Sequence, residues 1–232
     1  FLSTSIFQQL FSKNKNLKES LGCTNDLTKD LFLRGDNLPI KKIEIDTHKY
    51  RDWVVNNIKI ITSNTRFVPN ILKKKFNSTI KVTYDGGDYC ILTGRVRHSG
   101  DAKDHIALKG NSIIQSLDIS LNYGNIKGIT KFKLFKPDVR GVLDDVLIQT
   151  QLLRDFGYLA PRSYKVEARV NQMNSVMLFQ EKAAKELLEF NKRREGPILE
   201  GDQKYFFKLV KDIPDNNLSN WSVGTPFLRN KS

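Results

Sequence analysis

The stretch IKVTYDGGDYCILTGRV, residues 80–96, sets two alternating runs on either side of a four-residue break. Ile80, Val82 and Tyr84 recur at every second position, and a second run extends from Ile91 to Val96. Apolar, β-branched residues at period two are spaced for one face of a strand. Between the runs, Asp85-Gly86-Gly87-Asp88 supplies residues that tolerate positive φ. The chain therefore reverses in a tight turn, and the runs pair as a β-hairpin.

Working outward, Ile43 and Ile45, then Val54, Ile58 and Ile60, read as further strands upstream. Downstream, Ile113, Leu117, Ile119 and Leu121 alternate as one strand. A turn over 122–128 leads to Phe132, Leu134 and Phe135. Pro137-Asp138 opens a predicted helix with Val142, Val146, Leu147, Leu153 and Phe156 on or near one face, and Gly157 is placed to cap it. Tyr164, Val166, Ala168 and Val170 then meet Val176 and Leu178 across a turn at 171–174 as a second hairpin. Glu181 to Arg194 reads as a charged helix with Ala184, Leu187 and Leu188 inward, ended by Gly196-Pro197. At the start, Leu2, Ile6, Phe7, Leu10 and Phe11 have the spacing of a short helix, followed by a linker. The expected fold class is α+β: antiparallel strands and hairpins with a few packed helices. Expected boundaries are 1–38 for the helix and linker, 39–212 for the α+β domain, and 213–232 for an irregular tail.

Composition bounds the function. The 232 residues are 39% hydrophobic, enough for a real core. No run of eighteen apolar residues occurs, so no transmembrane segment is expected. Phe1 rather than Met opens the chain, and the compartment stays open. The formal net charge of +13 favours nucleic acid, anionic lipid or an acidic protein as partner. Solvated lysines scattered over the whole surface give the same number, and no basic run exceeds Lys73-Lys74-Lys75. Cys23 and Cys90, the only cysteines, have no metal or redox-motif spacing. Two free thiols are expected of them, with a single disulfide as the alternative.

Several segments share an order with a known family. Gly94 to His105 places a basic residue, Gly100-Asp101 and Asp104-His105 after a strand. Gly128 to Leu134, with Pro137 and Arg140, leads toward a helix; Leu153 to Arg162 joins a helix end to Ala160-Pro161. Asn171, Phe179-Gln180-Glu181-Lys182 and Arg193 to Ile198 complete the series. Together, from about Arg95 to Lys208, they resemble the front half of a spore coat protein H-like (CotH-like) kinase domain. That resemblance implies an atypical protein-kinase-like front portion, ATP and Mg²⁺ as cofactors, and transfer of phosphate to serine on a protein substrate.

The resemblance also implies roles. Ser99, Gly100 and Lys103 would cover a triphosphate, with Arg97 adding charge, as would suit phosphoryl transfer; an ordinary surface turn is the competing reading. Glu181 would orient a basic side chain or hold a metal, or else is a carboxylate favoured at a helix start. Arg140 would meet a phosphate or a buried acid. Arg193 and Arg194 would clamp phosphate or an acidic peptide, or simply suit a helix's last turn. His98, Asp101, Asp104 and His105 match no closed metal site, and none is assigned. Asp118 and Glu200 stand where the family carries basic residues. The family's catalytic aspartates fall downstream of the Gly196-Pro197-Ile198 segment, where Asp212 and Asp215 match by residue type alone. The expected function is the nucleotide-binding portion of such a kinase. A non-catalytic surface or assembly protein that binds an acidic partner is the alternative, and nucleic-acid binding rests on charge only.

Overall fold

The computed structural model describes residues 22–23, 39–65, 67–110, 112–139, 143–202 and 227–230. The chain divides into two units, Phe1–Lys182 and Ala183–Ser232. The division thus falls inside the 39–212 domain that the sequence suggested. The predicted helix near Leu2 to Phe11, and the expected tail over 213–232 apart from Phe227–Asn230, lie outside the described residues.

The first unit corrects the expected α+β, kinase-like fold: it is mostly β, built on a closed barrel of seven strands. The strands are β2 (Ile40–Thr47), β3 (Phe76–Tyr84), β4 (Tyr89–His98), β7 (Leu117–Tyr123), β8 (Lys131–Phe135), β9 (Ser163–Val170) and β10 (Met173–Glu181). Their order is β4-β3-β2-β9-β10-β8-β7, and β7 returns to β4. Every neighbouring pair is antiparallel except β2 and β9, which run parallel. A short β1 (Gly22–Cys23) adds to β4, and β5 (Ile106–Lys109) with β6 (Ser112–Gln115) forms a separate hairpin.

Alternation dictates the layers. Ile43, Ile45, Ile80, Val82, Leu92, Val96, Leu117, Ile119, Phe132, Leu134, Val166, Ala168 and Phe179 are all buried in one core. Burying each Val, Leu, Ile or Phe of this set stabilises the fold by about 1.5–3 kcal/mol. The hairpin over 80–96 forms as expected: Gly87 N donates to Tyr84 O at 3.2 Å, with Gly86 and Gly87 at φ +98° and +92°. The strand expected at Val54 to Ile60 is instead helix α1 (Tyr50–Thr62). Val54, Ile58 and Ile60 fit either period over so short a run; Trp53, Val54 and Ile60 join the core from this helix.

Helix α2 (Leu143–Asp155) begins after the predicted start. Asp138 lies in a turn at φ +70°. Its C-terminus ends as expected, with Gly157 N donating to Arg154 O at 2.8 Å and Tyr158 N to Leu153 O at 2.9 Å. Its only buried residue is Thr150, however; Leu153 and Phe156, assigned to a packed face, are exposed. The packed helices of an α+β domain are therefore replaced by strand pairing as the source of the core.

Two polar devices fix the parallel joint. Arg169 on β9 donates from Nε to Glu44 at 2.8 Å and from Nη1 to Asp46 at 2.9 Å, both on β2. Asn171, at φ +53° in the β9–β10 turn, accepts on Oδ1 from Thr47 N at 2.9 Å and from Thr47 Oγ1 at 3.0 Å. Asparagine tolerates the left-handed region, and here its side chain satisfies the end of β2. Cys23 and Cys90 face each other in the β1–β4 register and form a disulfide, correcting the free-thiol expectation. The partners are 67 residues apart in sequence, so spacing could not reveal the pairing.

In the second unit, the long helix expected from Glu181 is only α3 (Lys185–Phe190), because Glu181 still belongs to β10. Strands β11 (Leu199–Asp202) and β12 (Phe227–Asn230) pair antiparallel there.

Candidate functional site

The barrel's alternation has an outward half. On β4, Val96 and His98 turn in, so Arg95 and Arg97 turn out; on β7, Leu117 and Ile119 turn in, so Asp118 and Ser120 turn out. The β4–β7 register sets Arg95 opposite Ser120 and Arg97 opposite Asp118. Lys75, just before β3, and Lys182, just after β10, complete a cavity of about 140 Å³ lined by these six residues. Its four cations face one carboxylate, a net charge of +3.

Asp118 is the floor of this groove and is buried. Lys182 Nζ reaches Oδ1 at 3.0 Å and Oδ2 at 3.2 Å; Arg97 donates to Oδ2 from Nε at 3.1 Å and from Nη2 at 2.7 Å. Burial alone would raise the carboxyl's pKa, but the Lys182 charge and the Arg97 hydrogen bonds outweigh it and hold Asp118 below the ordinary carboxylate value. The carboxylate thus fixes two cations in place and leaves Arg97 Nη1 outside the pair. Lys75 and Arg95 are exposed, and their side chains have no hydrogen-bonded or ion-paired partner among the described residues. Such a site, with guanidinium and ammonium groups gathered around one neutralised carboxylate, attracts anions.

Of the residues given a nucleotide-binding role from sequence, only Arg97 lines this groove. Ser99 is buried, and its N–H donates to Ser116 O at 2.9 Å. Gly100, at φ +107°, packs so closely on His105 that a Cβ would lie 2.2 Å from the ring. Lys103 Nζ donates to Ser63 O and to Ile61 O, the latter at 3.4 Å, at the C-terminal end of α1. Cations suit that end of a helix. The loop is thus occupied with its own packing.

Glu181 is buried against Arg162, accepting from Nη2 on Oε1 and from Nε on Oε2 at 2.8 and 2.9 Å. Arg162 Nη1 also donates to Lys127 O at 2.8 Å, so this pair ties strand ends together. Removing one partner of so buried a pair would strand the other charge. Arg140 lies outside the described residues. Arg193 and Arg194 are exposed in the second unit, where Arg193 N closes the end of α3 on Leu188 O at 2.9 Å.

His98 points into the core and shares a 3.2 Å hydrogen bond with Gln115 Oε1. Asp101 pairs with Lys73. Among the described residues, no group of three or more His, Cys, Asp or Glu is placed to hold a metal ion. Asp118, with both oxygens engaged by cations, does not suit the Mg²⁺ that the resemblance implies.

Sequence reasoning gave no site role to Lys75, Arg95, Ser120 or Lys182, and took Asp118 as a departure. The same period-two rule that found the core could have found them, because Arg95 and Arg97 alternate with Gly94, Val96 and His98. What it lacked was the β4–β7 register. The fold and groove define a closed-barrel β protein with a cationic cleft on its outer wall. No protein-family model and no curated protein matches the chain. No helix among the described residues is long and apolar enough to cross a membrane.

Proposed function

We propose that the outer-wall groove binds the phosphates of a phosphorylated ligand. ATP is the ligand to which the resemblance points, which would make the chain the nucleotide-binding portion of a phosphotransferase acting on protein serine. The observation that carries this reading is the ring of Lys75, Arg95, Arg97, Lys182 and Ser120 around one shielded carboxylate. The reading rests on this groove and not on the barrel, since a fold does not fix a function. No described residue is assigned a part in the transfer itself.

The test is thermal unfolding with ATP, with and without Mg²⁺, for the wild type and for Arg95→Ala combined with Lys75→Ala. Ligand at a hundredfold above its Kd adds about 2.7 kcal/mol of stability. A rise in Tm that the double variant loses supports the reading. No rise at millimolar nucleotide overturns it. The exposure of Lys75 and Arg95 favours a second reading, in which the same cations dock an acidic protein partner. Salt-sensitive capture of an acidic protein without any nucleotide effect would select that one.

A further inference from the structure

We infer that the groove recognises an unbranched chain of phosphates, free of metal and without contact to a nucleoside, and that Lys131 carries the recognition across β7 onto β8. This rests on the phosphate-binding reading above and adds the class of ligand.

Size is the first observation. A cavity of about 140 Å³ is well below the ~300–1,000 Å³ of sites that enclose a drug-sized ligand. It admits phosphate groups and leaves no enclosed room for a base and sugar. The lining agrees with this: Lys75, Arg95, Arg97, Asp118, Ser120 and Lys182 include no aromatic or aliphatic side chain on which a base could rest.

Register is the second. Ser120 pairs with Arg95 on one side and with Lys131 on the other, so the three stand in one row over β4, β7 and β8. Lys131 is exposed, and its side chain has no hydrogen-bonded or ion-paired partner among the described residues. The backbone N–H of Lys182 donates to Lys131 O at 3.0 Å, which places Lys131 beside the groove's other lysine. Arg95 and Lys131 are two strand spacings apart, about 10 Å. That span suits a chain of phosphates running between them with Ser120 beneath.

Charge is the third. Lys75, Arg95, Arg97 and Lys182 line the groove with a single carboxylate that is already neutralised, and Lys131 adds a cation beside Ser120. A divalent cation has no ligand to gain there and is repelled by the lysines. Mg²⁺ bound to a polyphosphate would lower the ligand's charge and compete with the protein's own cations. Binding should therefore be strongest for the uncomplexed chain.

Isothermal titration with tripolyphosphate, ATP and orthophosphate, each in EDTA and in excess Mg²⁺, tests this. Tripolyphosphate in EDTA should bind at least as tightly as ATP, and Mg²⁺ should weaken both. Lys131→Ala, a change at an exposed position, should cost about tenfold in tripolyphosphate affinity and leave orthophosphate nearly unchanged. Arg95→Ala should weaken all three. An unchanged tripolyphosphate affinity in Lys131→Ala, or a requirement for Mg²⁺, overturns this inference while orthophosphate or ATP binding lost in Arg95→Ala keeps the phosphate-binding reading. If no phosphate compound binds the wild type, both fall. The arms also separate the sources: tighter binding of ATP than of tripolyphosphate shows that the nucleoside is read and refutes the inference.

Discussion

His98 stands on the inward face of β4, one residue beyond the groove's Arg97, and is buried with Gln115 as its hydrogen-bond partner and His105, Lys73 and Asp101 near enough to act on its charge. Burial is the main cause that pushes its pKa down to about 4, and the hydrogen bond to Gln115 only partly opposes it. The unfolded chain has an ordinary histidine near 6.5, so it takes up a proton first as the pH falls. Stability is then fully present above about pH 6.5 and is lost between about 6.5 and 4, by roughly 3 kcal/mol. Urea unfolding across that range should show the loss, and His98→Gln should flatten it. The sequence grouped this histidine with Asp101, Asp104 and His105, a set to which no metal site was assigned. Strand β4 runs two residues past the expected end at Val96, in the same alternation, and that extension makes the histidine a core group; a strand's end is what a single sequence defines least well.

At the scale of elements, the β4–β7 pairing both closes the barrel and lines the groove. Gly94 sits at the irregularity in that pairing, where a Cβ would lie 2.8 Å from Ser120 O and 3.2 Å from Leu121 Cα. Backbone atoms cannot step aside as a flexible side chain can. Gly94→Ala should therefore cost about 2 kcal/mol, measured as a fall in the urea midpoint. The sequence made Gly94 part of a strand, and the hairpins on either side of 85–88 and 171–174 were also readable from alternation and turn residues. Strand partners distant in sequence were not. Nothing in Leu117 to Leu121 says that these residues join β4 rather than extend the run from Ile113; Ser116 separates the two strands, with its N–H donating to His105 O at 2.8 Å and its carbonyl accepting from Ser99 N at 2.9 Å. Helix α2 shows the opposite limit, since apolar spacing identified the helix but could not tell whether the apolar residues would be covered.

At the scale of the molecule, the disulfide encloses β2, α1 and β3 between Cys23 and Cys90. Closing a loop of that length removes freedom from the unfolded chain and contributes about 4 kcal/mol in the chain-entropy description. Reduction, or Cys23→Ser with Cys90→Ser, should lower Tm accordingly, while far-ultraviolet circular dichroism at 20 °C keeps its β signature. Net charge belongs to this scale too. The +13 in the sequence was compatible with lysines strewn everywhere, and only the register shows that several of the cations stand together on adjacent strands.

The parallel joint between β2 and β9 bears on the order of events as the chain is made. Glu44 and Arg169 meet across it although 125 residues separate them. The β2–β3 and β3–β4 pairs need only nearby segments and can form early. The far edge of β2 must then wait, its backbone groups unpaired, until β9 leaves the ribosome. An open strand edge is a template for pairing with the wrong chain, and long-range pairings form slowly. The acidic Glu44 and Asp46, turned outward on that waiting strand, are charges that discourage such pairing until Arg169 arrives to neutralise them.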